Sequence, residues 1–277
     1  MRNRYARILN MLHESNVSDT ARHIIQHKLS DIAKHHNVRI VFAVESGSRA
    51  WGFPSTNSDY DVRFVYVRAK DDYLSVKQYR DVIETDITDD PSLGAPLDLN
   101  GWDIRKALQL AVKSNATLIE WLKSPIRYIA DATVMHDVLT LTQDISNLEI
   151  IKDHYYAIAR NAWEQIEKGT AVKVKLYCYA LRPALALQWI SQSNNLPPMD
   201  MKSLCAGLKK DANLSQEIID LIIRKSTAQE SDLITHYPLI DAFITKVLHQ
   251  QNDRFKEKRI EEEHFLKADQ LFRKIIG

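Results

Sequence analysis

The sequence predicts an α+β fold with a small strand-bearing front and an all-helical back. Three observations carry this reading. Strand-like runs are confined to roughly residues 39–100. From Trp102 onward, apolar residues recur at helical spacing. No alternation of strand and helix of the kind that builds a doubly wound parallel sheet runs through the chain. A boundary is expected at Ser124-Pro125, dividing 1–125 from 126–277.

The elements follow in order. Residues 18–36 read as a helix: Ser18 or Asp19 can cap it, and Ile24, Ile25, Leu29 and Ile32 form an apolar stripe. Residues 39–45 are short, apolar and β-branched, which suits a buried strand. Residues 59–67 alternate and form a second strand, and 81–87 and 95–99 form further short ones. Helices are expected over 103–114, 115–123, 131–145, 152–168, 172–192, 200–209, 214–225 and 238–275, the last broken or continuous. Pro183 falls inside the 172–192 run, where it removes one helical hydrogen bond and favours a kink.

Composition excludes several classes. The 277 residues are 45% hydrophobic and 26% charged, so the chain is not a disordered one. With 37 Lys+Arg against 36 Asp+Glu the net charge is +1, and no overall basicity advertises nucleic acid. Two cysteines, Cys178 and Cys205, build no disulfide framework and read as free thiols of a reducing compartment. No apolar run approaches the roughly 20 residues of a membrane span. Met1 to Leu12 is too short and interrupted for a signal peptide, so a cytoplasmic protein without a membrane partner is expected. The oligomeric state is not legible. The charge is nonetheless sorted. Residues 81–98 carry Asp81, Glu84, Asp86, Asp89, Asp90 and Asp98 and no base, while 170–210 carry six bases and one acid, Asp200. A pair of solvated faces explains this, and so does an acidic wall facing a phosphate-binding basic wall.

The stretch 45–64 is the informative one. A strand ends in Gly47-Ser48, a short helical turn follows, and Asp59-Tyr60-Asp61 heads the next strand. Gly47 permits close backbone approach to a bulky anion. Ser48 places a hydroxyl at a helix start, where free N–H groups favour phosphate. Asp59 and Asp61, two apart on a strand, project from one face, leaving Tyr60, Val62 and Phe64 for the core. Such a pair calls for a divalent cation between its carboxylates, and hard oxygen ligands suit Mg²⁺. A loop turn explains Gly47-Ser48 alone, and a strand cap explains Asp-x-Asp alone; the two at this spacing are more specific. Arg63 comes next on the Asp59/Asp61 face, placed to balance charge or to meet an acceptor phosphate. Asp98 alternates away from the core between Leu97 and Leu99 and is a third carboxylate, with Asp103, Glu84 and Asp86 as rivals; N-capping explains Asp103 without catalysis. In the helical half, Lys175, Tyr179 and Arg182 share one helix face, which suits a triphosphate and a base or, equally, a surface helix with long side chains. His35-His36 and Asp153-His154-Tyr155 read as ordinary helix residues.

Gly47-Ser48 followed by Asp59-x-Asp61 resembles the signature of the DNA polymerase β-like nucleotidyltransferase superfamily. More narrowly, Gly47 to Gly52, Asp98 to Leu108, Asn115 to Pro125 and Tyr177 to Pro183 resemble predicted nucleotidyltransferases of the YcgL/RlaP type, a group associated with RNA repair. The resemblance covers roughly 40–195. It implies a nucleotidyltransferase domain with a small mixed sheet and flanking helices over 1–125. It also implies a helical domain over 126–277 that completes a nucleotide and acceptor cleft. The implied reaction moves an NMP from an NTP to an acceptor hydroxyl. Asp59, Asp61 and Asp98 would be catalytic and hold two Mg²⁺ (or Mn²⁺) ions. Gly47, Ser48, Arg49, Lys175, Tyr179 and Arg182 would contact the nucleotide. The implied acceptor is an RNA end. A protein acceptor, or a non-catalytic nucleotide- or RNA-binding module of antitoxin type, are the alternatives.

Overall fold

The computed structural model describes residues 17–207, 212–228, 232–251 and 261–277. The Met1–Leu12 reading and Lys209-Lys210 lie outside them. The described residues fall into two compact units: 17–50, 57–147 and 261–277 in one, and 51–56, 148–207, 212–228 and 232–251 in the other.

The first unit is built on a mixed sheet. Helix α1 (Asp19–His36) leads into β1 (Arg39–Glu45), the short α2 (Gly47–Trp51), β2 (Tyr60–Val67) and α3 (Lys70–Leu74). Then come β3 (Val82–Glu84), β4 (Thr88–Asp90), β5 (Ala95–Asp103), α4 (Ile104–Val112), α5 (Ala116–Leu122), β6 (Arg127–Ala130) and α6 (Ala132–Ile145). After the helical half, α12 (Glu262–Ile276) returns to this unit. The strand order is β3-β5-β2-β1-β6, with β4 also on β5. Among the described residues only β2 and β5 pair in parallel; the other pairings are antiparallel. The boundary expected at 125 falls between α5 and β6, inside this unit.

Alternation, interrupted in β1 by register shifts, sends the strands' side chains into two cores. Ala43, Tyr60, Val62, Phe64, Tyr66, Leu97 and Leu99 bury one face against α1, which contributes Ala21, Ile25, Leu29 and Ile32. Val41, Val44, Val65 and Val67 bury the other against α4, α5, α6 and α12. Ile24 is only half-buried, so the α1 stripe is narrower than its sequence suggests. Ser18 caps α1, its hydroxyl accepting from the Ala21 N–H at 3.1 Å. Strand β5 is longer than the expected 95–99 because it continues through Gly101 opposite Phe64. A Cβ there would lie 2.1 Å from the Phe64 ring. Asp103 ends β5 and caps α4, accepting from the Arg105 N–H at 2.8 Å, as the capping reading has it.

The second unit is helical. It contains α7 (Leu148–Glu167), β7 (Val172–Lys173), α8 (Val174–Ser193), α9 (Met201–Gly207), α10 (Ala212–Thr227), β8 (Leu233–Ile234) and α11 (Pro238–His249), with β7 and β8 forming a two-stranded ribbon. Helix α8 is the centre, packing against α7, α9, α10 and α11, with Leu181, Ala184, Leu185, Ala186 and Leu187 fully buried. It runs through Pro183 as one element, so the Tyr179 carbonyl lacks its i+4 donor. The long 238–275 run resolves into α11 in this unit and α12 in the other; 252–260 lies outside the described residues. Cys178 is buried and Cys205 half-buried, both free thiols. Among the described residues no helix is long and apolar enough to cross a membrane.

Candidate nucleotidyl-transfer site

The site residues of the sheet unit gather where β1 ends and β2 begins. The parallel register sets Asp61 directly beside Asp98, and Arg63 beside Asn100. Side chains at matched positions of neighbouring strands project from the same face. Asp61, Arg63 and Asp98 thus share one patch, all three partly open to solvent. The Arg63 guanidinium lies between the carboxylates, its Nη2 3.2 Å from Asp61 Oδ1 and 2.7 Å from Asp98 Oδ2. Its Nη1 donates to the carbonyls of Val62 and Asp98. Of the two roles the sequence left to Arg63, charge balance is the one seen.

Gly47 takes a left-handed conformation (φ 57°), and a Cβ on it would lie 2.1 Å from Asp61 Oδ2. The turn after β1 therefore passes against the Asp61 carboxylate, which only a glycine allows. Ser48 follows, half-buried, in the five-residue α2. Arg49 is buried instead of open. It lies over the Tyr60 ring at 3.9 Å and donates from Nε to the Asp59 carbonyl (3.1 Å) and from Nη2 to the Ser58 carbonyl (2.6 Å). It fixes the loop that carries Asp59. Asp59 itself is exposed just before β2. Among the described residues no group of three His, Cys, Asp or Glu side chains is spaced to hold a metal ion.

One residue of this site escaped the sequence reading. Glu45, the last of β1, is fully buried (0% exposed). Its Oε1 accepts from the Asp61 backbone N–H at 2.9 Å, and its Oε2 accepts from the Tyr128 hydroxyl. Ser124 Oγ donates to the Glu45 carbonyl at 2.7 Å. Burial pushes the Glu45 carboxyl up to about 7, against the opposing pull of the Tyr128 and Asp61 hydrogen bonds. Burial first, then the neighbouring Glu45 charge, raises the Tyr128 hydroxyl. The available signal was a lone acid closing an otherwise apolar strand. Lys123, beside Ser124, is lowered to about 8 by burial.

The remaining predicted residues belong to the helical unit. Lys175, exposed, has its Nζ 5.8 Å from the Tyr179 ring; Tyr179 meets Trp51 edge-on at 5.4 Å; Arg182 lies over the same indole at 4.5 Å. The stripe is real as geometry, but its far end is interior: Arg182 is 5% exposed and its Nε donates to the Met199 carbonyl at 2.9 Å. Trp51 to Thr56 is anchored in this unit too, by buried Phe53 and by Lys225, whose Nζ lies 3.0 Å from Ser55 Oγ.

The RNA repair pathway DNA polymerase beta family model, RlaP, matches residues 21–274. The chain belongs to this family. The match takes in the sheet unit, the helical unit and the returning α12. The YcgL protein of Bacillus subtilis (strain 168), described as uncharacterized, is 42% identical over 234 residues, covering 84% of this chain and 88% of that protein. A crystal structure of a nucleotidyltransferase-like protein from Exiguobacterium sibiricum 255-15 aligns with 10% identity and a TM-score of 0.28, covering 91% of this chain and 79% of that one. Membership in a polymerase β-like family points to nucleotidyl transfer as the class of chemistry.

Proposed function

We infer that the chain transfers a nucleoside monophosphate from an NTP to an acceptor hydroxyl with release of pyrophosphate, and that the acceptor is an RNA end. The observation that supports this most is the Asp61–Asp98 pair on adjacent parallel strands, against which Gly47 packs without a Cβ. Two neighbouring carboxylates with a cation between them fit Mg²⁺, which takes one or two carboxylates together with substrate phosphates. Asp61 and Asp98 would hold the metal; Asp59, which is not grouped with them here, would have to move with its loop to join them. A bound divalent ion would supply stabilisation of the attacking and leaving oxygens of an in-line displacement at the α-phosphate.

The chain's own groups supply the rest. Asp98 orients the acceptor hydroxyl and takes its proton. Gly47 and Ser48 contact the β- and γ-phosphates. Glu45 fixes the Asp61 backbone through one hydrogen bond, and Arg49 fixes the Asp59 loop through two. Arg63, bonded to both acids, would turn its charge to phosphate when they hold a metal. Lys175 and Tyr179 remain assigned to nucleotide contact; Arg182 serves by holding Trp51.

The test is incubation with each α-labelled NTP, Mg²⁺ or Mn²⁺, and total RNA or lysate protein. Label on RNA is expected, reduced by a factor of 10³ or more in Asp61→Asn and Asp98→Asn. Label on protein would move the acceptor to a polypeptide. No label with any NTP, from a protein that melts cooperatively, would overturn the transfer reading and leave a nucleotide- or RNA-binding module.

A further inference from the structure

A polar cavity lies at the other end of the same sheet. It occupies ≈ 350 Å³ between the end of β2, the 75–81 loop and the first turn of α4. Arg68, just past β2, is seven residues from Asp61 along one strand, roughly 23 Å at ~3.3 Å per residue. The cavity is therefore distinct from the carboxylate site.

Its walls are rich in cations, and their pairing is uneven. Lys106 is matched by Asp81 at 3.0 Å, and Arg80 by Glu84. Asp72 is engaged by the Tyr79 hydroxyl. No carboxylate forms an ion pair with the Lys77 ammonium or the Arg105 guanidinium among the described residues: Lys77 Nζ lies 4.7 Å from the Tyr79 ring centre, and the Arg105 guanidinium donates to the Tyr73 carbonyl at 3.3 Å while its backbone N–H donates to Asp103. Arg68 is the deepest. Its side chain is 10% exposed; its Nη2 donates to the Arg80 carbonyl at 3.2 Å, and its buried Nε forms an ion pair with Asp103 at 3.8 Å but no hydrogen bond. A buried guanidinium N–H left without a hydrogen bond is unfavourable, and an incoming anionic oxygen would satisfy it.

The aromatic rings show what kind of anion fits. Tyr79 already faces Arg68 (4.8 Å) and Lys77, and Tyr73 and Phe272 both face Arg105 (4.9 and 5.2 Å). Each of these rings thus already has a cation over it. The cavity offers charge and donors without base readout, which is how proteins grip a nucleic-acid backbone. We propose that this cavity is a phosphate-binding subsite for the backbone of a single-stranded nucleic-acid segment, with Arg68, Lys77 and Arg105 as its cationic contacts.

The test reads binding without NTP and without transfer, so its failure leaves the transfer reading standing, and an inactive transfer site leaves this one standing. Anisotropy of a short fluorescein-labelled single-stranded RNA is followed across a salt series with the full chain. The double variant Lys77→Gln, Arg105→Gln is expected to bind at least tenfold more weakly. Its slope of log K against log salt should be shallower by about 1.4, two single-strand phosphate contacts at ~0.7 each. DNA of the same sequence should bind within a few fold of RNA, because no base or 2′-hydroxyl is read. Should the double variant fold poorly, Lys77→Gln alone and protection of Lys77 from acetylation by bound RNA decide the matter, since Lys77 is exposed. Equal binding by wild type and variants would overturn the proposal. So would no RNA binding by the wild type, or AMP and inorganic phosphate engaging these residues while the strand does not.

Discussion

At the scale of single residues, two glycines mark where the backbone is pressed against a side chain. Gly47 has both a positive φ and no room for a Cβ beside Asp61. Gly47→Ala should abolish transfer by displacing that carboxylate, and the measurement is turnover of labelled NTP alongside the melting temperature. Gly101 has no such link to chemistry. Gly101→Ala drives a methyl into the Phe64 ring and should cost about 3 kcal/mol of stability, read by urea unfolding. Glu45 gives a pH signature. Its folded value, about 7, lies above its ordinary 4.5. A raised acid binds its proton more tightly when folded, so its contribution to stability is complete below about pH 4.5 and is lost as pH rises through about 7. Glu45→Gln should flatten that part of the stability–pH curve; parallel curves for the two proteins would show that Glu45 does not titrate there.

At the scale of elements, a polar cluster ties the start of α11 to Tyr177 of α8. The Tyr177 hydroxyl lies 2.8 Å from Asp241 Oδ1, His236 Nδ1 lies 3.0 Å from Asp241 Oδ2, and His236 Nε2 lies 3.0 Å from the Gly169 carbonyl. Nε2 faces the Gly169 carbonyl, and Nδ1 faces both Asp241 and the Tyr177 hydroxyl (3.1 Å), so only the imidazolium donates to Gly169 and Asp241 together. The Gly169 carbonyl first, then Asp241, raises the His236 value above its ordinary 6.5. The clamp is thus fully formed below about pH 6.5 and loosens as pH rises through the raised value. Amide exchange of the first turn of α11 should accelerate over that window in the wild type, and be fast and pH-insensitive beyond the intrinsic rate in His236→Gln. A pH-independent difference between the two would mean that the ring acts by shape alone.

At the scale of the whole molecule, the sheet unit is discontinuous in sequence. Helix α12 supplies buried Ala268 and packs Leu271, Phe272, Ile275 and Ile276 against the core of α4 and α6. Lys267–Asp144 and Lys274–Asp137 ion pairs, each at 2.7 Å, flank it. Truncation before Glu262 should therefore lower the melting temperature of the sheet unit by ten degrees or more, roughly the effect of losing a few kcal/mol. A truncated chain that melts unchanged would show that α12 is dispensable. The near-zero net charge also has a structural counterpart: acids and bases are matched locally, as in the Arg63 bridge and the Lys106–Asp81 pair. That is why an overall count is silent about partners.

Much of the fold was legible because it depends on local periodicity. The α1 stripe, the apolar β1, the alternation of β2 and the Asp103 cap are all decided by near neighbours in sequence, and so was the projection of Asp61 and Arg63 from one strand face. The register that sets Asp61 against Asp98 was not legible, because a parallel pairing joins strands more than thirty residues apart with no turn to fix it. Nor was the interior position of Arg49 and Arg182, since helix spacing gives a direction around an axis but not what covers that face. The assignment of α12 to the sheet unit rests likewise on which exposed core it reaches, a long-range choice. The sequence by itself determined the elements, the family motif and the charged residues that carry its chemistry. Tertiary structure alone decided which of those charges meet, because pairing across strands and burial under distant helices depend on contacts that no local pattern encodes.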